Sequence, residues 1–311
     1  MRILTLLLLL AAAASAEDIR VGMIGLDTSH AIAFTKILND PANEDHVAGA
    51  RVVAAFPGGS PDLASSRDRV EGYTKQLRED WQVEIVDSIP ALLDKVDAVL
   101  LESVDGRVHL EQVTPVFEAG KPVFIDKPLA ASYEDARAID RLATEHDAAW
   151  WSSSSLRYSP MVEELRLEGL TGAITWGPAP LEPTHELDLS WYGIHPVELL
   201  YAILGPGCTQ VRRLYTPEAD VIVGEWSDGR TGVVRTIREG ESGYGAVAFG
   251  GEAVKMSDRG GAAYSAMLGD VVEFFKTGQP PVPNEETLEI FGFLEAARLS
   301  REQNGAAVPL P

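Results

Sequence analysis

Apolar residues fall along this chain in short runs, separated by longer stretches where they recur every three or four positions. Ile19-Arg20-Val21-Gly22-Met23-Ile24-Gly25 reads as a strand ending in a glycine turn, and Thr28-Ser29 then cap a helix through Leu38. Further strands are predicted over 52–56, 84–86, 98–101 and 122–125, and around 148–152. Helical spacing falls between them at 89–95, 110–118 and 133–145. Parallel strands need a crossover, usually a helix, so this alternation predicts a Rossmann-like, doubly wound parallel sheet.

The texture changes after Ser155. Helices over 160–167 and 196–204 flank irregular, Pro-rich sequence. Closely spaced strands follow at 210–215, 221–226, 231–237 and 245–249, with turns such as Ser227-Asp228-Gly229 that suit antiparallel pairing. Helices over 264–276 and 285–301 are expected to pack beside that sheet. The fold class is therefore α/β: a Rossmann-like domain over 17–152, then an α+β domain over 153–311 with a mostly antiparallel, open-faced sheet.

The first sixteen residues are expected to lie outside the fold. Arg2, the apolar stretch 3–10 and the small residues Ala14-Ser15-Ala16 have the form of a general secretion signal peptide, so an exported, periplasmic or extracellular protein is predicted. The stretch is too short to span a bilayer, and no stable membrane anchor is expected. Lys and Arg number 26 against 47 Asp and Glu, a formal net charge of −21, which repels nucleic acid and anionic lipid. Cys208 is the single cysteine, so an internal disulfide and a multi-cysteine zinc site are excluded.

Candidate chemistry begins at Asp126-Lys127-Pro128, just past the apolar run 122–125. The carboxyl end of such a strand is where open α/β sheets bind ligands, and an amine there can hold an oxygen or exchange a proton with it. Histidine has the right pKa range for proton transfer near neutrality, which makes His195 a second candidate. Aromatic and polar residues crowd around it in His185-Glu186-Leu187-Asp188 and in 191–198. Trp191, Tyr192 and Tyr158 could stack on sugar faces, and Arg157 could bind a substrate anion or form a structural ion pair. No metal motif is assigned; His185, Asp188, His195 and Glu198 are a speculative ligand group.

These residues carry a family likeness. Val21 to Gly25, Asp97-Ala98-Val99 with His109 downstream, Ala119 through Pro128, Arg157-Tyr158-Ser159-Pro160, Gly193-Ile194-His195 and Gly278-Gln279-Pro280-Pro281 resemble the glucose–fructose oxidoreductase / inositol dehydrogenase (Gfo/Idh/MocA) family. The resemblance implies a Rossmann domain plus a sheet domain, with NAD(P)-dependent oxidation or reduction of a sugar or polyol held between them. It implies catalytic Lys127 and His195, with Glu198 placed to orient the imidazole. Asp126, Arg157, Tyr158, Asp188, Trp191 and Tyr192 would face a small carbohydrate, and the second sheet would offer a surface for a homo-oligomer.

Departures from the pattern bear on the cofactor. The family loop reads G-x-G-x-x-G or -A, but here it is Gly25-Leu26-Asp27-Thr28-Ser29-His30. Asp27 sets a carboxylate where phosphates would arrive, or else caps the helix. Phe56-Pro57-Gly58-Gly59 supplies no ribose-binding acid, and Asp62 comes late. Trp191 stands where the family often has an aspartate before the histidine. The cofactor is left unassigned, with NAD(P) disfavoured. The degenerate loop (Gly25, Asp27, Thr28, Ser29, His30) could bind substrate or a metal instead. The expected function is Lys127/His195 acid–base chemistry on a sugar derivative, of lyase, hydrolase or isomerase type. The alternatives are an NAD(P)-dependent sugar or polyol oxidoreductase and a non-catalytic sugar-binding protein.

Overall fold

A computed structural model describes residues 17–311, so the expected signal peptide lies outside the described residues. The first unit runs β1 (Ile19–Ile24), α1 (Ser29–Asn39), β2 (Ala50–Phe56), α2 (Ala64–Arg67), α3 (Val70–Asp80), β3 (Glu84–Ile85), α4 (Ile89–Leu93), β4 (Ala98–Leu101), α5 (His109–Glu118), β5 (Val123–Ile125), α6 (Tyr133–Glu145) and β6 (Trp150–Trp151). The six strands form one parallel sheet in the order β3-β2-β1-β4-β5-β6. That order reverses direction between β1 and β4, which makes the crevice above those two strands the topological switch point.

β4 and β5 are buried along their whole length, as expected of parallel strands covered on both faces. Val123 and Ile125 point to the layer holding α4, α5 and α6, whereas Phe124 points to the layer of α1 and α3. Helices α2 and α3 occupy a stretch that the sequence pattern leaves unassigned. α3 buries only Leu77 fully, so its apolar stripe is too thin to stand out.

The second unit contains a 3-10 turn (Ser155–Tyr158), α7 (Pro160–Glu164), β7 (Gly172–Pro178), α8 (Ile194–Leu204), β8 (Cys208–Tyr215), β9 (Ala219–Trp226), β10 (Thr231–Ile237), β11 (Tyr244–Phe249), β12 (Val254–Gly260), α9 (Tyr264–Thr277), α10 (Asn284–Glu302) and β13 (Val308–Pro309). Its seven-stranded sheet has the order β12-β11-β7-β10-β9-β8-β13, antiparallel except for β7 beside β10. β7 lies in the stretch the sequence reads as irregular. Its Gly172 and Gly177 weaken a strand signal, but a Cβ at either would collide with Thr231 or with the Tyr244 ring.

The two closing helices do not both pack beside this sheet. α10 packs on β8, but α9 turns back onto the first sheet, where Met267, Leu268, Val271 and Phe274 join the core of Val21, Met23, Leu100 and Trp151. α9 is apolar enough to serve either surface, and only the tertiary arrangement selects the first. The second core is also shared, with α5 and α6 contributing to the same cluster as α8 and α10. Both units are thus welded along the seam where β1, β4 and β5 end.

Candidate functional site

The loop after β1 is held tightly. Gly25 has φ +87, and a Cβ there would lie 2.3 Å from the Ser103 nitrogen, so only glycine lets this loop pass the one after β4. Thr28 is the N-cap of α1, its Oγ1 accepting from the His30 N–H at 3.4 Å. Asp27 is therefore not the cap. Its fully buried carboxylate accepts from the Val104 N–H at 2.9 Å and from the Ser66 hydroxyl at 2.6 Å. It bridges the loops after β1 and β4, and burial pushes its pKa up. Ser29 is exposed at the helix start. Asp62 accepts from the Arg107 guanidinium at 2.8 and 3.1 Å.

His30, in the first turn of α1, points to the ends of β4 and β5. Its Nδ1–H donates to Asp126 at 2.7 Å, and its Nε2 shares a 3.1 Å hydrogen bond with the Tyr264 hydroxyl. Phe34 stacks on the ring at 5.0 Å. Glu102, one residue past β4, is wholly buried, and neither of its carboxylate oxygens has a hydrogen-bond partner. Ligand atoms of His30, Glu102 and Asp126 lie within 4.8 Å of one another, the one such His/Cys/Asp/Glu group among the described residues. Burial, with Asp126 nearby, drives the Glu102 carboxyl well above the ordinary carboxylate range. Sequence reading missed Glu102, although a carboxylate directly after an apolar parallel strand carries the same signal that singled out Lys127.

Lys127 reaches across the seam, its Nζ 5.5 Å from the centroid of the Tyr192 ring. Tyr192 in turn meets His195 edge-on at 5.8 Å, so the structure joins Lys127, Tyr192 and His195 in one cluster. His195 sits in the first turn of α8, and its Nδ1 shares a 2.7 Å hydrogen bond with Ser154. Burial, then the charges of Lys127 and His30, hold its pKa well below the usual histidine value.

Glu198 does not orient that imidazole. Its carboxylate accepts from Ser153 at 2.7 Å and from Arg157 at 3.1 Å, and Arg157 also pairs with Glu286 at 2.7 Å. One helical turn past His195, Glu198 points to a different neighbour, and the serine run 152–155 supplies the imidazole's partner instead. Arg157 is thus engaged in a partly buried ion-pair network, and the Tyr158 hydroxyl donates to Asp270 at 2.8 Å. Both tie the 3-10 turn to its surroundings.

The speculative metal group does not converge. His185 pairs with Asp105 at 3.1 Å, and Asp188 takes both arms of Arg213 at 2.8 and 3.0 Å with Arg301 beside it. His195 and Glu198 have the separate partners described above. Asp188 is spent in that arginine network and offers no free carboxylate to a substrate. Trp191 packs with Leu63 and Val104, close to the Asp27 bridge. His109 is buried, with its ring nitrogens against the Leu129 and Ser103 carbonyls at 3.1 and 2.8 Å, and does not reach the seam.

A switch-point crevice, a lysine just past the fifth strand and a histidine in the first turn of α8 define a two-unit scaffold with a Rossmann-type first sheet. Residues 19–153 match the family described as "Oxidoreductase family, NAD-binding Rossmann fold". Over these residues, the Rossmann-like unit, the chain thus matches the Gfo/Idh/MocA oxidoreductase family. It is 28% identical over 150 residues to YceM of Salmonella typhimurium, whose name marks it as a candidate oxidoreductase; the match covers 48% of this chain and 43% of that protein. It is 29% identical over 131 residues to an inositol 2-dehydrogenase of Corynebacterium glutamicum, covering 42% of this chain and 34% of that enzyme. The chain thus matches less than half the length of either relative. The crystal structure of GenD2 from gentamicin A biosynthesis, in complex with NAD, superposes with a TM-score of 0.77 at 17% identity, covering 95% of this chain and 97% of that one, and so shares the fold.

Proposed function

We propose that the seam between the two sheets carries out proton-transfer chemistry on an oxidised sugar or polyol, with Lys127 and His195 as the acid–base pair and no dinucleotide in the crevice. The observation that carries this reading is the Asp27 bridge. A pyrophosphate running over the switch point would meet a buried carboxylate and would have to displace its bonds to Val104 and Ser66. Asp62, the first acid after β2, is engaged by Arg107 and so is not free for a ribose. A dinucleotide bound in the manner the family description implies does not fit these residues. Export of an unfolded chain, proposed from the N-terminal segment, supports the same reading, since a bound nucleotide would not travel with it.

In the proposed reaction His195 is the base. In the tautomer that donates Nδ1–H to Ser154, the Nε2 lone pair can take a proton from the carbon beside a carbonyl. The electron pair moves onto the carbonyl oxygen, which the Lys127 ammonium holds and protonates. For an isomerisation Nε2 returns its proton to the former carbonyl carbon while the neighbouring hydroxyl passes its proton to Lys127; for an elimination the β-oxygen substituent leaves with the proton from Nε2 while the enol passes its proton back to Lys127. Tyr192, half-exposed beside both groups, offers a face for the sugar ring.

One observation favours a second reading, NAD(P)-dependent sugar or polyol oxidation. A cavity of about 510 Å³, lined by Phe56, Gly58, Ser88, Val108 and Gln112, remains at the ends of β2 and β3, where an adenosine would sit. Calorimetric titration with NAD and NADP separates the two, alongside turnover of sugars and keto-sugars with and without nucleotide. Nucleotide-free turnover is expected; micromolar binding of either nucleotide would restore the dehydrogenase reading.

A further inference from the structure

We propose that His30, Glu102 and Asp126 form a binding site for a divalent transition cation, with Zn²⁺ or Mn²⁺ best matched to one imidazole and two carboxylates. The three side chains come from α1 and from the ends of β4 and β5, and their ligand atoms all lie within 4.8 Å of one another. A tetrahedral cation with bonds of about 2.0–2.2 Å holds its donors roughly 3–3.5 Å apart, so only small rotations are needed. Imidazole with carboxylate is the donor set of borderline metals, and no thiolate is present to demand a softer one.

The independent sign of a ligand is Glu102. It is wholly buried, and neither carboxylate oxygen meets a donor, although buried polar groups are ordinarily paired because leaving them bare costs free energy. Asp126 stands beside it, and Lys127 is the nearby cationic side chain. A divalent ion would pair both oxygens' owner and its neighbour at once. On ligation His30 gives up one of its two present hydrogen bonds, to Asp126 or to Tyr264. Packing of Phe34 and Tyr264 against the ring keeps it aimed, as outer-shell partners do in metal sites. The cation would then lie next to Lys127, where a substrate oxygen could join its coordination shell.

Binding is read without turnover, so its outcome is independent of the acid–base reading above. Tag-free full-length protein, stripped with chelator, is titrated calorimetrically with Zn²⁺ and separately with Mn²⁺, and retained metal is counted by mass spectrometry after gel filtration. One equivalent per chain is expected, with affinity reduced by at least about tenfold in Glu102→Gln and in Asp126→Asn. If Asp126→Asn fails to fold, Glu102→Gln still decides, being nearly isosteric and losing no hydrogen bond of the protein. No binding of either ion, or binding unchanged in Glu102→Gln, overturns the site; the latter would place the ion on surface acids.

Discussion

The carboxylate of Asp27 accepts a hydrogen bond from the backbone N–H of Val104 at 2.9 Å, tying the loop after the first strand to the loop after the fourth. This one contact spans the crevice that gives the fold its usual nucleotide site. Asp27 thereby puts a fully buried carboxyl group at the position where the motif has its second glycine.

Replacing Asp27 by glycine should therefore reopen the crevice. Removing a charge that opposes phosphate is expected to raise NAD affinity at least about tenfold, which corresponds to roughly 1.4 kcal/mol. Calorimetry on the wild type and Asp27→Gly makes the comparison. Equal affinities would mean that the bridge is not the obstacle.

Lys127→Met and His195→Ala should each cut turnover by roughly 10²–10⁴-fold, the usual contribution of a positioned acid or base. The measurement is kcat on whichever keto-sugar the substrate panel identifies, with circular dichroism to confirm folding. Full activity in both folded variants would sink the acid–base assignment.

His195 gives a pH signature. Its folded-state pKa lies well below the ordinary histidine value of about 6.5, because it is buried and faces Lys127 and His30. The imidazole thus stays neutral and basic through that pH, and the acid limb of kcat/KM is expected below 6.5. Stability has the matching sign. As pH falls below about 6.5 the unfolded chain takes a proton that the folded chain refuses, so this group's contribution declines until its lower folded pKa is reached. An activity limb at or above 6.5 that disappears in His195→Ala would contradict the buried, neutral imidazole.

Arg157 should behave as a structural residue. Arg157→Met strips Glu198 and Glu286 of their shared cation, and breaking such a buried pair costs about 3–5 kcal/mol. Urea denaturation should register that loss. A raised KM with unchanged stability would instead mark Arg157 as a substrate ligand.

The sequence by itself determined the parallel sheet and the place of Lys127, because these follow from local apolar runs and helical spacing that each segment carries alone. It also determined that the glycine loop is altered, since Asp27 is visible in the motif. Only the tertiary structure decided what the altered residues do. Asp27 meets Val104 across 77 residues, His30 meets Asp126 across 96, and Tyr264 meets His30 across 234. No periodicity reports such pairs. The same holds for α9, whose apolar faces fit either sheet until folding assigns it to the first, and for Glu198, which the chain sets one turn from His195 but aims at Arg157. Local pattern fixes where a side chain leaves the backbone; its partner is chosen by whichever distant segment the closed core brings alongside.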